Sequence, residues 1–88
     1  MTREVIVPNA LGLHARAAAR FVQVAGRFAA QIRVTRDGRT VDGKSLMGVL
    51  LLAASRGSML TISAEGPDAD VALDALAALV DSGFGEGM

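Results

Sequence analysis

The chain has 88 residues, nine basic and nine acidic, and no cysteine. A domain of this size buries only about two-thirds of the surface its unfolded chain exposes, so it builds one modest core. Aromatic residues make up 3% of the chain against 51% apolar residues in all, too few rings for a base-stacking platform. The even charge balance gives no overall field toward nucleic acid or an anionic membrane, and the lack of thiols excludes disulfides, thiolate chemistry and Cys-based metal sites.

The segment "MTREVIVPN" carries charges but no apolar signal-peptide core, and no later run is long enough to span a bilayer. The expectation is one soluble, cytoplasmic domain over residues 1–88. "REVIVPN" is rich in β-branched residues and stops at Pro8-Asn9, which predicts a strand over residues 2–8. After the "NALGL" loop, Ala18, Phe21, Val22 and Ala25 share one face of a helix that starts near Ala15 and ends at Gly26.

"AQIRVTRDGRTVD" is the clearest hairpin, with Asp37-Gly38 supplying the positive φ values of a tight primed turn between strands over 30–36 and 39–42. Ser45 then stands before "LMGVLLLAA", where its hydroxyl can accept an early helical N–H, and "SRGS" marks the stop. "MLTISAEG" alternates as a strand. Pro67-Asp68 opens a last helix, with Asp68 and Asp70 near the positive end of its dipole, a core face of Leu73, Leu76, Leu79 and Val80, and an end at Ser82-Gly83. The order β-α-β-β-α-β-α suits an α+β sandwich, one antiparallel sheet with helices on one face. The second helix has more apolar residues than one buried face can use. Exposure of some of Leu46, Met47 and Leu50 would mark a docking surface, while full burial is the plainer reading.

His14 is the only histidine, and it stands just before a helix. The first-turn N–H groups of Ala15, Arg16 and Ala17 lack intrahelical partners there, and with the dipole and the Arg16 guanidinium they make a setting for an anion, including a phosphate carried on the imidazole. Gly12 permits a tight backbone approach in the loop. The positive dipole end and the arginine favour a neutral, nucleophilic ring. Spacing alone still ranks a plain solvated polar residue above a phosphohistidine. A metal site ranks lower, with no second His and no ligand spacing, and there is no G-x-S-x-G nucleophile motif for a hydrolase.

"NALGLHARAAARF" followed by "GKSLMGVLLLAASRGS", with the terminal "GFGEG", closely resembles the histidine-containing phosphocarrier (HPr) family over essentially the whole chain. The resemblance implies an open-faced β-sandwich, a four-stranded antiparallel sheet with three helices packed on one face. It also implies a carrier in the phosphoenolpyruvate-dependent phosphotransferase system that takes a phosphoryl group from phospho-Enzyme I on His14, by resemblance on Nδ1, and passes it to A domains of Enzyme II or to regulatory-branch acceptors. Arg16 matches the family arginine that supports the phosphoryl group. Ser45 matches a serine phosphorylated by a dedicated kinase in many relatives. The implied docking patch is Leu46, Met47 and Leu50 with Ala19 and Gln23, rimmed by Arg16 and Arg20. No metal or organic cofactor is implied, nor any nucleic-acid partner or membrane insertion, and monomer is the family expectation.

One departure stands out: Ala17 occupies the place where many relatives have proline, giving up a preset φ and gaining an N–H. "GKSLMGV" leans toward the sugar-type carrier. A carrier of the nitrogen-related regulatory branch uses the same His14 chemistry, and a small binding module with an incidental histidine is the more distant alternative.

Overall fold

The computed structural model of the chain describes residues 1–86. In chain order it comprises β1 (Thr2–Ile6), α1 (Ala15–Ala25), β2 (Gln31–Arg36), β3 (Arg39–Asp42), α2 (Leu46–Leu51), β4 (Met59–Glu65) and α3 (Ala69–Asp81). The strands form one antiparallel sheet in the order β1-β4-β2-β3, so the two terminal halves of the fold meet at its centre, where β4 pairs with both β1 and β2. No helix among the described residues is long and apolar enough to cross a membrane.

Alternation decides which face of the sheet is covered. Val5, Ile32, Val34, Leu60, Ile62 and Ala64 point inward and are buried, while Glu4, Arg33 and Glu65 between them stay exposed. The three helices lay their apolar stripes over the inward face: Ala17, Ala18, Phe21 and Ala25 from α1, Val49 from α2, and Leu73, Leu76 and Val80 from α3. Val22 and Leu79, expected on core faces, sit at the margin and are partly buried against the same cluster. The result is the expected sandwich with one open face of sheet.

The β2–β3 turn behaves as its two residues dictate. Asp37 and Gly38 have φ of +48° and +80°, and Arg36 faces Arg39 across a two-residue loop. The flanking arginines repel in that register, and both side chains turn to α2: Arg36 donates to the Leu52 carbonyl at 2.9 Å and Arg39 to the Leu51 carbonyl at 3.0 Å. These bonds satisfy carbonyls that a helix end leaves without partners.

That capping accounts for one shifted boundary. The second helix, expected through "LMGVLLLAA", ends at Leu51, and Ala53 takes a left-handed φ of +50° without a glycine to signal it. β1, expected to run to residue 8, stops at Ile6, although Val7 still donates to Ser58 and accepts from Gly57 at the edge of the ladder. Pro8 has no N–H with which to continue. Asp68 precedes α3 as expected, but its carboxylate does not cap that helix. It accepts the backbone N–H groups of Ala29 and Ala30, each at 2.8 Å, and so ties the start of α3 to the turn that leads into β2. The Ala29 N–H above all, with the Ala30 N–H and the charge of Lys44, holds the Asp68 carboxyl below the usual aspartate range.

Candidate functional site

The site begins with Gly12. Its φ of +66° is left-handed, and a Cβ there would lie 2.6 Å from the Ala54 carbonyl oxygen and 2.9 Å from the Ser55 Cα. Only glycine fits such a close approach without movement. Next to it, Leu13 is buried and donates to the Ala54 carbonyl at 2.8 Å. The loop is thereby pinned to the segment after α2, and His14 follows as the residue that opens α1.

His14 has extended backbone angles (φ −77°, ψ −179°), its carbonyl accepts the Ala18 N–H, and its side chain makes no capping bond to the helix. The imidazole is thus free to face outward, with 29% of its surface exposed. Ala15 and Arg16 are exposed beside it, whereas Ala17 is fully buried against the core. Of the three expected first-turn donors, those of Ala15 and Arg16 belong to exposed residues and that of Ala17 to a packed one.

Two residues with no sequence signal of their own complete the surroundings of the ring. Glu86 places Oε2 2.6 Å from His14 Nε2, and its other oxygen accepts from Asn9 Nδ2 at 3.0 Å. Asn9, itself buried, uses the same nitrogen to donate to the Gly12 carbonyl at 2.8 Å. The expected positive setting of the ring, the start of α1 and Arg16, is therefore opposed by one carboxylate. Asn9 lies in a stretch that reads as a loop, and Glu86 in a tail known only through the resemblance.

A turn of unusual handedness delivers Glu86. Gly83, Phe84 and Gly85 have φ of +69°, +58° and +77°, and Phe84 is fully buried. Its N–H bonds to the Leu79 carbonyl at 2.9 Å, and its carbonyl accepts from the Arg20 guanidinium. Arg20, expected on the rim of a docking patch, is thus engaged in holding this turn. The final glycine of "GFGEG" lies outside the described residues. An open cleft of about 420 Å³ is lined by Asn9, Leu11, Arg16, Arg20 and Glu86.

The expected docking residues are partly brought together. Leu46 and Met47 are exposed (45% and 66%), Gln23 is exposed, and Leu50 and Ala19 are half-buried. Leu51, not singled out from the sequence, is exposed instead of Leu50. α2 contacts α1, so the oily surface lies on the helix that neighbours the one His14 opens. Ser45 is half-buried, and its Oγ accepts the Gly48 N–H at 3.1 Å, the expected cap.

The family model for PTS-HPr, described as the PTS HPr component phosphorylation site, matches residues 1–82. The phosphocarrier protein HPr of Cupriavidus necator is 51% identical over 99% of this chain and 98% of its own length. The phosphocarrier protein NPr of Shewanella violacea is 41% identical over 98% of this chain and 94% of its own. Among solved structures, HPr-C-His from Thermoanaerobacter tengcongensis superposes with a TM-score of 0.96 at 43% identity, covering 100% of this chain and 99% of that one. With its fold and nearly its whole length matched, the chain belongs to the HPr family of phosphocarriers of the phosphotransferase system.

Proposed function

We propose that His14 accepts a phosphoryl group on Nδ1 from phospho-Enzyme I and passes it to A domains of Enzyme II. The observation that carries this reading is a partly exposed imidazole that opens α1 without capping it, with Arg16 exposed two residues on. Phosphoryl transfer asks a protein mainly for alignment and charge stabilisation. The Arg16 guanidinium can form paired bonds to phosphoryl oxygens, and the backbone N–H groups of Ala15, Arg16 and Ala17 add the helix start. No step needs a metal or an organic cofactor.

The exposed surface of Leu46, Met47 and Leu51, with Leu50, Ala19 and Gln23 at its margin, is the docking patch in this reading. One face then serves donor and acceptor in turn, and flexible methionine suits such reuse. Ser45 is a regulatory site for a serine kinase and phosphorylase: a phosphate there adds about −1.5 to −2 charge beside the patch and repels acidic partner surfaces. The carrier works as a monomer in the cytoplasm. Transfer to sugar-branch acceptors is favoured by "GKSLMGV"; the likeness to NPr of Shewanella violacea supports the nitrogen-related branch as the second reading.

Intact-mass analysis after incubation with phosphoenolpyruvate and a matched Enzyme I tests the proposal. One acid-labile phosphoryl addition is expected, absent from His14→Ala. No addition, with Enzyme I shown to phosphorylate itself and a control carrier, overturns it. Presenting the phosphorylated protein to a sugar-type and a nitrogen-type A domain then separates the branches by relative rate.

A further inference from the structure

We infer that Glu86 is a positioning residue for His14: oriented by Asn9, its carboxylate keeps the ring proton on Nε2 and leaves the Nδ1 lone pair free for phosphorus. This deepens the proposed function and rests on His14 being the phosphoryl acceptor. The geometry is a chain of three side chains. Asn9 Nδ2 donates to Glu86 Oε1 at 3.0 Å, and Glu86 Oε2 lies 2.6 Å from His14 Nε2. A carboxylate only accepts hydrogen bonds, so the imidazole nitrogen that faces it is the one that donates. In a neutral ring the other nitrogen then has no proton. Nδ1 has no hydrogen-bond partner among the described residues, and it is the nitrogen left to attack.

Asn9 cannot turn its amide over to satisfy a different partner. Its Nδ2 also donates to the Gly12 carbonyl at 2.8 Å, and reversing the amide would set its oxygen against both that carbonyl and Glu86. The carboxylate is therefore held from behind as well as in front, with only 16% of its side-chain surface exposed. During transfer the Nδ1–P bond forms as the donor's bond to phosphorus breaks, and the donor group keeps that electron pair. The ring proton stays on Nε2, where the carboxylate faces the positive charge that the imidazole acquires. Onward transfer returns the electron pair to Nδ1, and the proton again does not move.

The fixed orientation of Asn9 makes the conservative replacement more harmful than removal. In Glu86→Gln the only oxygen of the new amide satisfies Asn9, and its NH2 group then faces His14 Nε2. That nitrogen must become an acceptor, and the proton moves to Nδ1, where it occupies the lone pair. Glu86→Ala leaves both partners to water and imposes no tautomer. The same logic, a carboxylate that fixes the tautomer of a histidine and an amide that inverts it, operates in serine proteases.

Nitrogen-15 NMR of the ring in the neutral state, on the full chain, reads the tautomer directly. The expected result is an Nε2–H ring in the wild type, a mixture in Glu86→Ala and mainly Nδ1–H in Glu86→Gln. Phosphoryl acceptance from Enzyme I should follow the order wild type, Glu86→Ala, Glu86→Gln. The last should be slowed by about tenfold or more, as the fraction of rings with a bare Nδ1 falls. Thermal unfolding of the three proteins guards against a fold defect, because a purely structural tie would lower stability without inverting the tautomer. An unchanged tautomer in Glu86→Gln, or acceptance by Glu86→Gln as fast as by Glu86→Ala, overturns the inference. A wild type that shows the Nε2–H ring but takes no phosphoryl group overturns the carrier reading of His14 and leaves the assignment of its proton standing.

Discussion

Replacing Gly12 with alanine isolates the contact on which the site is built, and Gly38 supplies the control. Both glycines are left-handed, at φ of +66° and +80°, but a Cβ on Gly38 meets nothing within 4 Å, whereas on Gly12 it lies 2.6 Å from the Ala54 carbonyl oxygen and 2.9 Å from the Ser55 Cα. A left-handed alanine costs roughly 1–2 kcal/mol, and the stiffer unfolded chain returns about 0.4–1 kcal/mol. Gly38→Ala should therefore destabilise by about 1 kcal/mol. Gly12→Ala carries the same strain plus an overlap with backbone that cannot rotate away, a further ~1–3 kcal/mol on the scale of overpacked sites. Its total is about 2–4 kcal/mol.

In a domain of this size each kcal/mol shifts Tm by roughly 4–8 °C. Thermal unfolding of the two variants beside the wild type should thus show a drop of at least about 8 °C for Gly12→Ala and about 4–8 °C for Gly38→Ala. Because the overlap pushes on the loop that carries His14, Gly12→Ala should also accept phosphoryl more slowly at temperatures where it is folded, while Gly38→Ala should not. Equal Tm losses in the two variants would refute the close approach of the loop to Ala54 and Ser55. The placement of His14 derived from it would fall as well.

Asp68→Asn should lower stability at neutral pH, since one amide oxygen cannot replace a carboxylate on the N–H groups of Ala29 and Ala30. The Asp68 carboxyl is held below its ordinary range in the folded protein, so its contribution is complete above the unfolded aspartate value of about 3.9 and is lost as pH falls through the lower folded value. Urea unfolding across that range should show the gap between wild type and Asp68→Asn closing toward acid, and a constant gap would contradict the assignment. Met47→Glu, on an exposed side chain, should leave Tm unchanged and raise the KM for Enzyme I about fivefold or more, which steady-state transfer assays measure. Ser45→Ala removes the cap on Gly48 and should cost about 0.5–2 kcal/mol in urea unfolding. Ser45→Asp should fold yet accept phosphoryl more slowly, and acceptance at the wild-type rate would remove Ser45 as a regulatory site.

Elements governed by local chemistry were legible in the chain. The Asp37-Gly38 turn, the alternation of "MLTISAEG" and the Ser45 cap each depend on residues a few positions apart, and the structure has all three. What misled were groups satisfied from far along the sequence. α2 ends early where Arg36 and Arg39 reach the Leu52 and Leu51 carbonyls, and Asp68, which opens α3 as expected, also binds a turn nearly forty residues upstream that nothing in its own segment announces. Likewise the apolar excess of "LMGVLLLAA" left full burial as the plainer reading and some of Leu46, Met47 and Leu50 as the candidates for exposure: Leu46 and Met47 do face out, but Leu51 joins them in place of Leu50, which packs inward on a helix of six residues with little room to keep one face. His14, Arg16 and Gly12 stood out from residue type and position. Asn9 and Glu86 did not, since a buried asparagine and a terminal glutamate acquire meaning only once they meet.

Their meeting depends on the residue least suited to its backbone. Phe84 sits at φ +58° between two left-handed glycines, a conformation that costs a bulky residue roughly 1–2 kcal/mol. Complete burial of its ring contributes about 1.5–3 kcal/mol, enough to offset that cost, and its N–H and carbonyl are both satisfied, by Leu79 and Arg20. The glycines alone would permit the turn but would not hold it. With the phenylalanine anchored, the chain reverses at the end of α3 and presents Glu86 to a histidine 72 positions earlier. The ring at the start of α1 therefore gains its carboxylate only when α3 has docked on the sheet. A site that looks local in the sequence is completed by a contact that spans nearly the whole chain.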